Sequence, residues 1–181
     1  LENAGWIKEI STLPLTVFVQ ANQSRIVERV LAGGGTSRAQ LLKELAENLY
    51  LQRKEEALAL AEEAIAEGDA TEDTRELKGY ILVAQGKLDE AEAEFGQIDS
   101  KAGLARVALE EGKLDEAVEL ADQTDDPYAQ GLKGQALMRA GKLDAAAPAL
   151  ETAASGAQRD WQRSEATNAK GRLVQEQGNT D

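Results

Sequence analysis

The sequence predicts an all-α protein, a right-handed α-solenoid of antiparallel helix hairpins, and three observations carry that expectation. The first is a recurring hexapeptide: GKLDEA at Gly86–Ala91 and Gly112–Ala117, and GKLDAA at Gly141–Ala146. Weaker copies stand at Gln52–Ala57 (QRKEEA) and in the closing Gly178–Asp181 (GNTD). These start at 52, 86, 112, 141 and 178, spacings of 34, 26, 29 and 37, in the range of a stacked two-helix unit. The second is composition. Aromatic residues make up 4% of the chain and prolines number three, while Ala and Leu lead the apolar share, a balance that favours helices over strands. The third is periodicity: Leu77, Tyr80, Ile81 and Ala84, and then Leu132, Ala136, Leu137 and Ala140, recur at helical spacing.

Residues 1–35 lack the hexapeptide and are read as a diverged N-terminal hairpin or cap. There Trp6, Ile7 and Ile10 share one helical face, as do Val17, Phe18, Ile26, Val27 and Val30. Gly33-Gly34-Gly35 breaks the pattern, and Ser37-Arg38-Ala39-Gln40 then has the form of a capping box. Repeats are expected over 36–69, 70–98, 99–125 and 126–156, with a partial one over 157–181. First helices are predicted at Thr71–Gln85, Ser100–Glu111, Pro127–Ala140 and Asp160–Gln177. Second helices are predicted at Leu88–Ile98, Leu114–Asp122 and Leu143–Ala154. Between them the turn glycine suits the left-handed backbone of a helix C-cap, and Asp89, Asp115 and Asp144 suit a helix start. Asp126-Pro127 is an N-cap and first-turn pair. The two short spacings predict a compressed repeat, and a change of curvature, near residues 98–126.

The pattern resembles the tetratricopeptide repeat over residues 37–181. In that family a small residue lies seven before the turn glycine, and an alanine five after it. Here Gly79, Ala105, Gly134 and Gly171 take the first position, and Ala91, Ala117 and Ala146 the second. Phe95, Ala121 and Leu150 fall at the family's aromatic position in the second helix. The loop proline of the family is missing. Pentatricopeptide repeats have a similar period but read RNA, which the charge disfavours.

The resemblance implies a concave groove lined by the first helices, with a protein or peptide as its ligand. Its groove positions map to Asp73, Glu76, Tyr80 and Val83; to Asp99, Ala102, Arg106 and Leu109; to Tyr128, Gly131, Gln135 and Met138; and to Glu165, Asn168, Arg172 and Gln175. Tyr80, Tyr128 and Met138 are expected as contacts for an apolar or extended peptide, and Arg106 and Arg172 as carboxylate partners. The competing reading makes the tyrosines half-buried spacers and pairs the arginines with Glu on the same helix. The Lys and Asn clamp that some members use for a C-terminal carboxylate is absent, since Glu76/Tyr80, Ala102/Arg106 and Gly131/Gln135 stand there.

Residue types narrow the chemistry. The 181 residues contain no His and no Cys, which removes imidazole bases, thiol nucleophiles and the usual zinc ligands. A net charge of −13 repels a phosphate backbone, so no nucleic-acid partner is expected. No apolar run approaches the roughly 20 residues of a membrane span; Leu13–Val19 is short and carries Pro14 and Thr16. Gly33–Ser37 lacks the lysine of a phosphate loop. Asp69, Thr71 and Asp73 open like a calcium loop without its glycine and closing Glu. The carboxylate pairs Asp125/Asp126 and Glu62/Glu63 are solvated helix charge.

No cofactor, metal or catalytic residue is therefore expected, and the chain is read as a protein-binding scaffold. An alternative reading is a structural module that self-associates through its C-terminal end, where Leu173 and Val174 would lie open, or a segment of a larger enzyme or envelope protein. The first residue is Leu1, compatible with an upstream signal or anchor, and GNTD is expected to introduce another helix. Compartment does not follow from the residues: cytoplasm and cell envelope fit equally.

Overall fold

The computed structural model describes residues 38–50 and 53–178, so the expected N-terminal hairpin over 1–35, Ser37 of the capping box and the last three residues of GNTD lie outside the described residues. Helices α1 (Arg38–Leu49) and α2 (Lys54–Ala66) are followed by α3 (Glu72–Ala84) and α4 (Leu88–Gln97), then α5 (Lys101–Glu110) and α6 (Leu114–Ala121). The pair α7 (Pro127–Arg139) and α8 (Leu143–Gly156) precedes α9 (Asp160–Gly178). Among the described residues there is no strand. From residue 70 on, each predicted helix is present, with ends within about two residues of expectation.

Each corner is closed by the same backbone device. Gly86, Gly112 and Gly141 have φ of 76°, 78° and 73°, a region costly to any residue with a Cβ. The amides three residues past the helix ends return to carbonyls five back: Lys87 to Leu82 at 3.0 Å, Lys113 to Ala108 at 2.9 Å and Lys142 to Leu137 at 2.8 Å. The aspartates expected at helix starts are there, but not in the capping position. Asp89, Asp115 and Asp144 lie inside the first turn, after Lys87, Lys113 and Lys142, where they favour the helix dipole without capping an amide. Thr71, Ser100 and Asp126 do cap, accepting from the amides of Thr74, Gly103 and Tyr128. The supposed calcium-loop start belongs to one of these caps: the Thr71 and Thr74 hydroxyls both donate to Asp69, at 3.3 and 3.0 Å.

Tight helix pairing depends on residues without bulk. Phe95, fully buried, lies against Gly79 on one side and Gly103 on the other. A Cβ on either glycine would fall 2.4 or 2.0 Å from its ring. Leu150 occupies the matching place beside Gly134, at 2.6 Å. The middle repeat is compressed, as the spacing requires. Helices α5 and α6 span 10 and 8 residues against 13 for α3 and α7. Asp99 takes a left-handed φ of 51° to make the short connection into α5.

Each first helix (α1, α3, α5, α7, α9) packs on the next first helix, while successive second helices do not touch to a comparable degree. An array whose first helices lie closer together than its second ones must curve with the first helices inside. Leu173, expected to lie open, is buried with Ala169 against Leu137, Met138 and Leu150, whereas Val174 is 67% exposed. No helix among the described residues is long and apolar enough to cross a membrane.

The glycines divide into two kinds, which stability measurements will separate. Gly79→Ala and Gly103→Ala should each lower stability by about 1–3 kcal/mol through overpacking against Phe95. Gly171, whose Cβ would meet nothing within 4 Å, should instead gain about 0.5–1 kcal/mol on changing to Ala. Equal effects in urea unfolding of the three variants would contradict this packing.

Candidate functional site: an aromatic and charged seat on the inner face

All five aromatic residues from position 38 onward join one network of ring contacts on the inner side of the curve. Trp161, at the start of α9, meets three tyrosines edge-on. Its ring centre lies 5.0 Å from Tyr128, 5.5 Å from Tyr80 and 5.8 Å from Tyr50. Tyr80 also touches Tyr128 at 5.5 Å and Phe95 at 5.1 Å. Edge-to-face pairs of this kind are worth about 0.5–1.5 kcal/mol each beyond burial. They link the end of α1 to the start of α9, over a hundred residues later.

Charge is arranged around the rings. Arg106, on α5, donates from Nη1 to Glu165 of α9 at 2.6 Å and to the Tyr128 hydroxyl at 3.2 Å, and from Nη2 to Glu110 at 3.0 Å. Gln135 donates to the same Glu165 oxygen at 3.0 Å. Just before α9 begins, Arg159 reaches Glu47 at 3.4 Å and Glu76 at 3.9 Å. Glu76 further accepts from Ser100 at 3.1 Å.

Burial governs the titration of these groups. It raises the Glu76 carboxyl, with Arg159 and the Ser100 hydrogen bond opposing. It pushes the Tyr80 and Tyr128 phenols well above the ordinary value and Tyr50 above it. For Arg106, burial alone acts downward, but Tyr128, Glu165 and Glu110 outweigh it and hold the guanidinium more firmly charged than a free one.

The expected groove residues divide accordingly. Tyr80 and Tyr128 are not open contacts: at 2% and 4% exposure they form the floor beneath Trp161. Val83, Leu109 and Ala102 are buried, and Gly131 faces Ala153 of α8 rather than a groove. Asp73 is exposed and paired with Lys43 at 3.2 Å, and Asp99 with Lys101 at 2.6 Å. Arg106 does pair with a Glu on its own helix, Glu110, but more closely with Glu165. Asn168, Arg172 and Gln175 are exposed along α9. Between α7 and α9, Gln135, Met138, Arg139, Arg172 and Glu176 border a small open depression of about 90 Å³.

Five participants carry no mark in the sequence pattern: Glu47, Tyr50, Glu110, Arg159 and Trp161. Scarcity singles out two of them, since Tyr50 is one of three tyrosines and Trp161 one of two tryptophans, while the charged three carry no local signal.

Comparison with known families agrees with this architecture. The family model described as tetratricopeptide repeat matches residues 100–123 and 127–152, which hold the α5–α6 and α7–α8 pairs. Over those residues the chain is similar to tetratricopeptide repeats, which agrees with the helix-pair repeat seen in the fold. Such repeats generally mediate protein–protein interaction and are in general a non-catalytic scaffold. No curated protein and no solved structure matches the chain.

Two measurements follow from the seat. Tyr50, Tyr80 and Tyr128 have folded-state pKa values above the ordinary value of about 10, so the stability linked to them is complete below pH 10 and is lost as pH rises through the folded values. In an absorbance titration, phenolate should form only above pH 10, together with loss of helical circular dichroism. Phenolate forming near 10 with the helices intact would contradict it. A double-mutant cycle of Arg106→Ala and Glu165→Ala should give a coupling of about 1–2 kcal/mol, above the usual value for an exposed pair. A coupling near zero would show the pair to be incidental.

Proposed function

We propose that the protein is an interaction scaffold that takes a peptide or partner surface on its inner, concave face. The observation that carries this reading is the convergence of side chains from all five first helices on that face. There an aromatic floor, a firmly charged arginine and an adjoining open depression lie together. Aromatic and arginine side chains are the types that concentrate binding energy when a partner covers them. The outer side is different in kind: α4 and α6 present Asp89, Glu90, Asp115, Glu116 and Glu119 to solvent.

Within the face, the accessible stretch is the depression beside α9. Met138, buried but for its edge, gives it an apolar floor, Arg172 a fork for a carboxylate, and Gln135 a buried amide. An extended segment carrying an acidic and an apolar residue fits that pairing.

A photo-activated cross-linker placed at Arg172, with a control at Glu119 on the outer side, tests the proposal in extracts of the source cell. Distinct protein adducts are expected from position 172 and not from 119, and they should fade when Met138 is changed to Asp. Identical adduct patterns from the two positions would sink the reading.

A further inference from the structure

We propose that the first turns of α9 are a displaceable plug in the seat, and that the outside ligand is a partner helix bearing a bulky aromatic side chain with a carboxylate one turn later. This rests on the reading of the concave face as a recognition surface. The occupant seen in place defines the chemistry. Trp161 and Glu165 are four residues apart and so share a face of α9. One fills the space between three tyrosine rings, and the other meets Arg106, Gln135 and the Tyr128 hydroxyl. Any helix repeating that aromatic-to-acid spacing presents the same two groups.

The leading turns of α9 are held differently from the rest of the helix. Ala166, Ala169 and Leu173 are buried, so the later part is anchored by apolar packing. From Trp161 to Glu165 no residue is fully buried, and the attachments are few: the Trp161 ring packed on the core, the Glu165 carboxylate and, just upstream, the Arg159 guanidinium. The seat is also imperfectly filled. Nε of Arg106 is buried with no hydrogen-bond partner, because Glu165 uses Nη1 and Glu110 uses Nη2. A carboxylate set to engage Nε and a terminal nitrogen together would make the bidentate pair that Glu165 does not make.

A tethered plug sets the terms of competition. A segment joined by a short connection acts at an effective concentration on the order of millimolar. An outside helix therefore binds with its intrinsic affinity reduced by the fraction of time the seat stands open. Removing the plug's own groups must strengthen binding of the outside helix without any new contact.

The test uses the full chain as wild type and as Trp161→Ala/Glu165→Ala, with a fluorescent peptide of residues 158–170 as probe and anisotropy as readout. The altered chain should bind the peptide at least tenfold more tightly than wild type, and a peptide carrying Ala in place of Trp161 should not bind. Equal affinity for both chains would overturn the plug while leaving the face as a recognition surface. Absence of binding to an altered chain that keeps its helical circular dichroism would overturn both readings. Should that chain not fold, hydrogen exchange of the wild type decides. Amides of Gln162–Ala166 should exchange at least tenfold faster than those of Leu132–Leu137, and equal protection would overturn the plug.

Discussion

The architecture rests on how closely two helices approach when one of them has no side chain at the contact. Phe95 of α4 fills the space that a Cβ on Gly79 of α3 or Gly103 of α5 would need, so a single ring sets the distances between three consecutive helices. Leu150 does the same beside Gly134. Alanines at 0% exposure, such as Ala91, Ala117 and Ala146, extend this close packing through the second helices. Interiors packed in this way tolerate neither gaps nor excess volume. The spacing is therefore fixed repeat by repeat, and with it the small rotation between neighbours that adds up to curvature.

Curvature is what turns a row of helices into a site. With the first helices drawn together on the inside, residues from α1, α3, α5 and α7 converge on the start of α9. Trp161 then meets Tyr50, Tyr80 and Tyr128 at once. The compressed α5–α6 pair contributes its own part, since Arg106 and Glu165, 59 residues apart, are joined at 2.6 Å. The rings exclude water from the phenols and partly from Arg106, whose contact with Glu165 is thus less screened than an ion pair on the open surface. The same array that stabilises the fold thus holds a chemically specific inner face.

Local features of this fold were legible in the sequence, and sums over many residues were not. The GKLD corners show themselves because a left-handed glycine is a property of four residues. Asp126-Pro127 shows itself as a cap for the same reason. The left-handed Asp99 was hidden, because its conformation follows from the shortness of the connection rather than from the residue. Gly103 was missed because the pattern places the small residue at Ala105, and only the position of Phe95 reveals the second contact. Tyr80 and Tyr128 lie on first helices, as the periodicity implies, but their covering by Trp161 depends on accumulated rotation over four repeats. No local pattern encodes that quantity.

The array curls until Trp161 lies among the tyrosines, and the fluorescence of that tryptophan reports its surroundings. In a Trp6→Phe chain Trp161 is the one tryptophan left. Its native emission should be blue-shifted from that of the urea-unfolded chain, and should be fed efficiently by excitation of the tyrosines about 5–6 Å away. Native emission at the unfolded wavelength, with no enhanced transfer from tyrosine, would contradict the account.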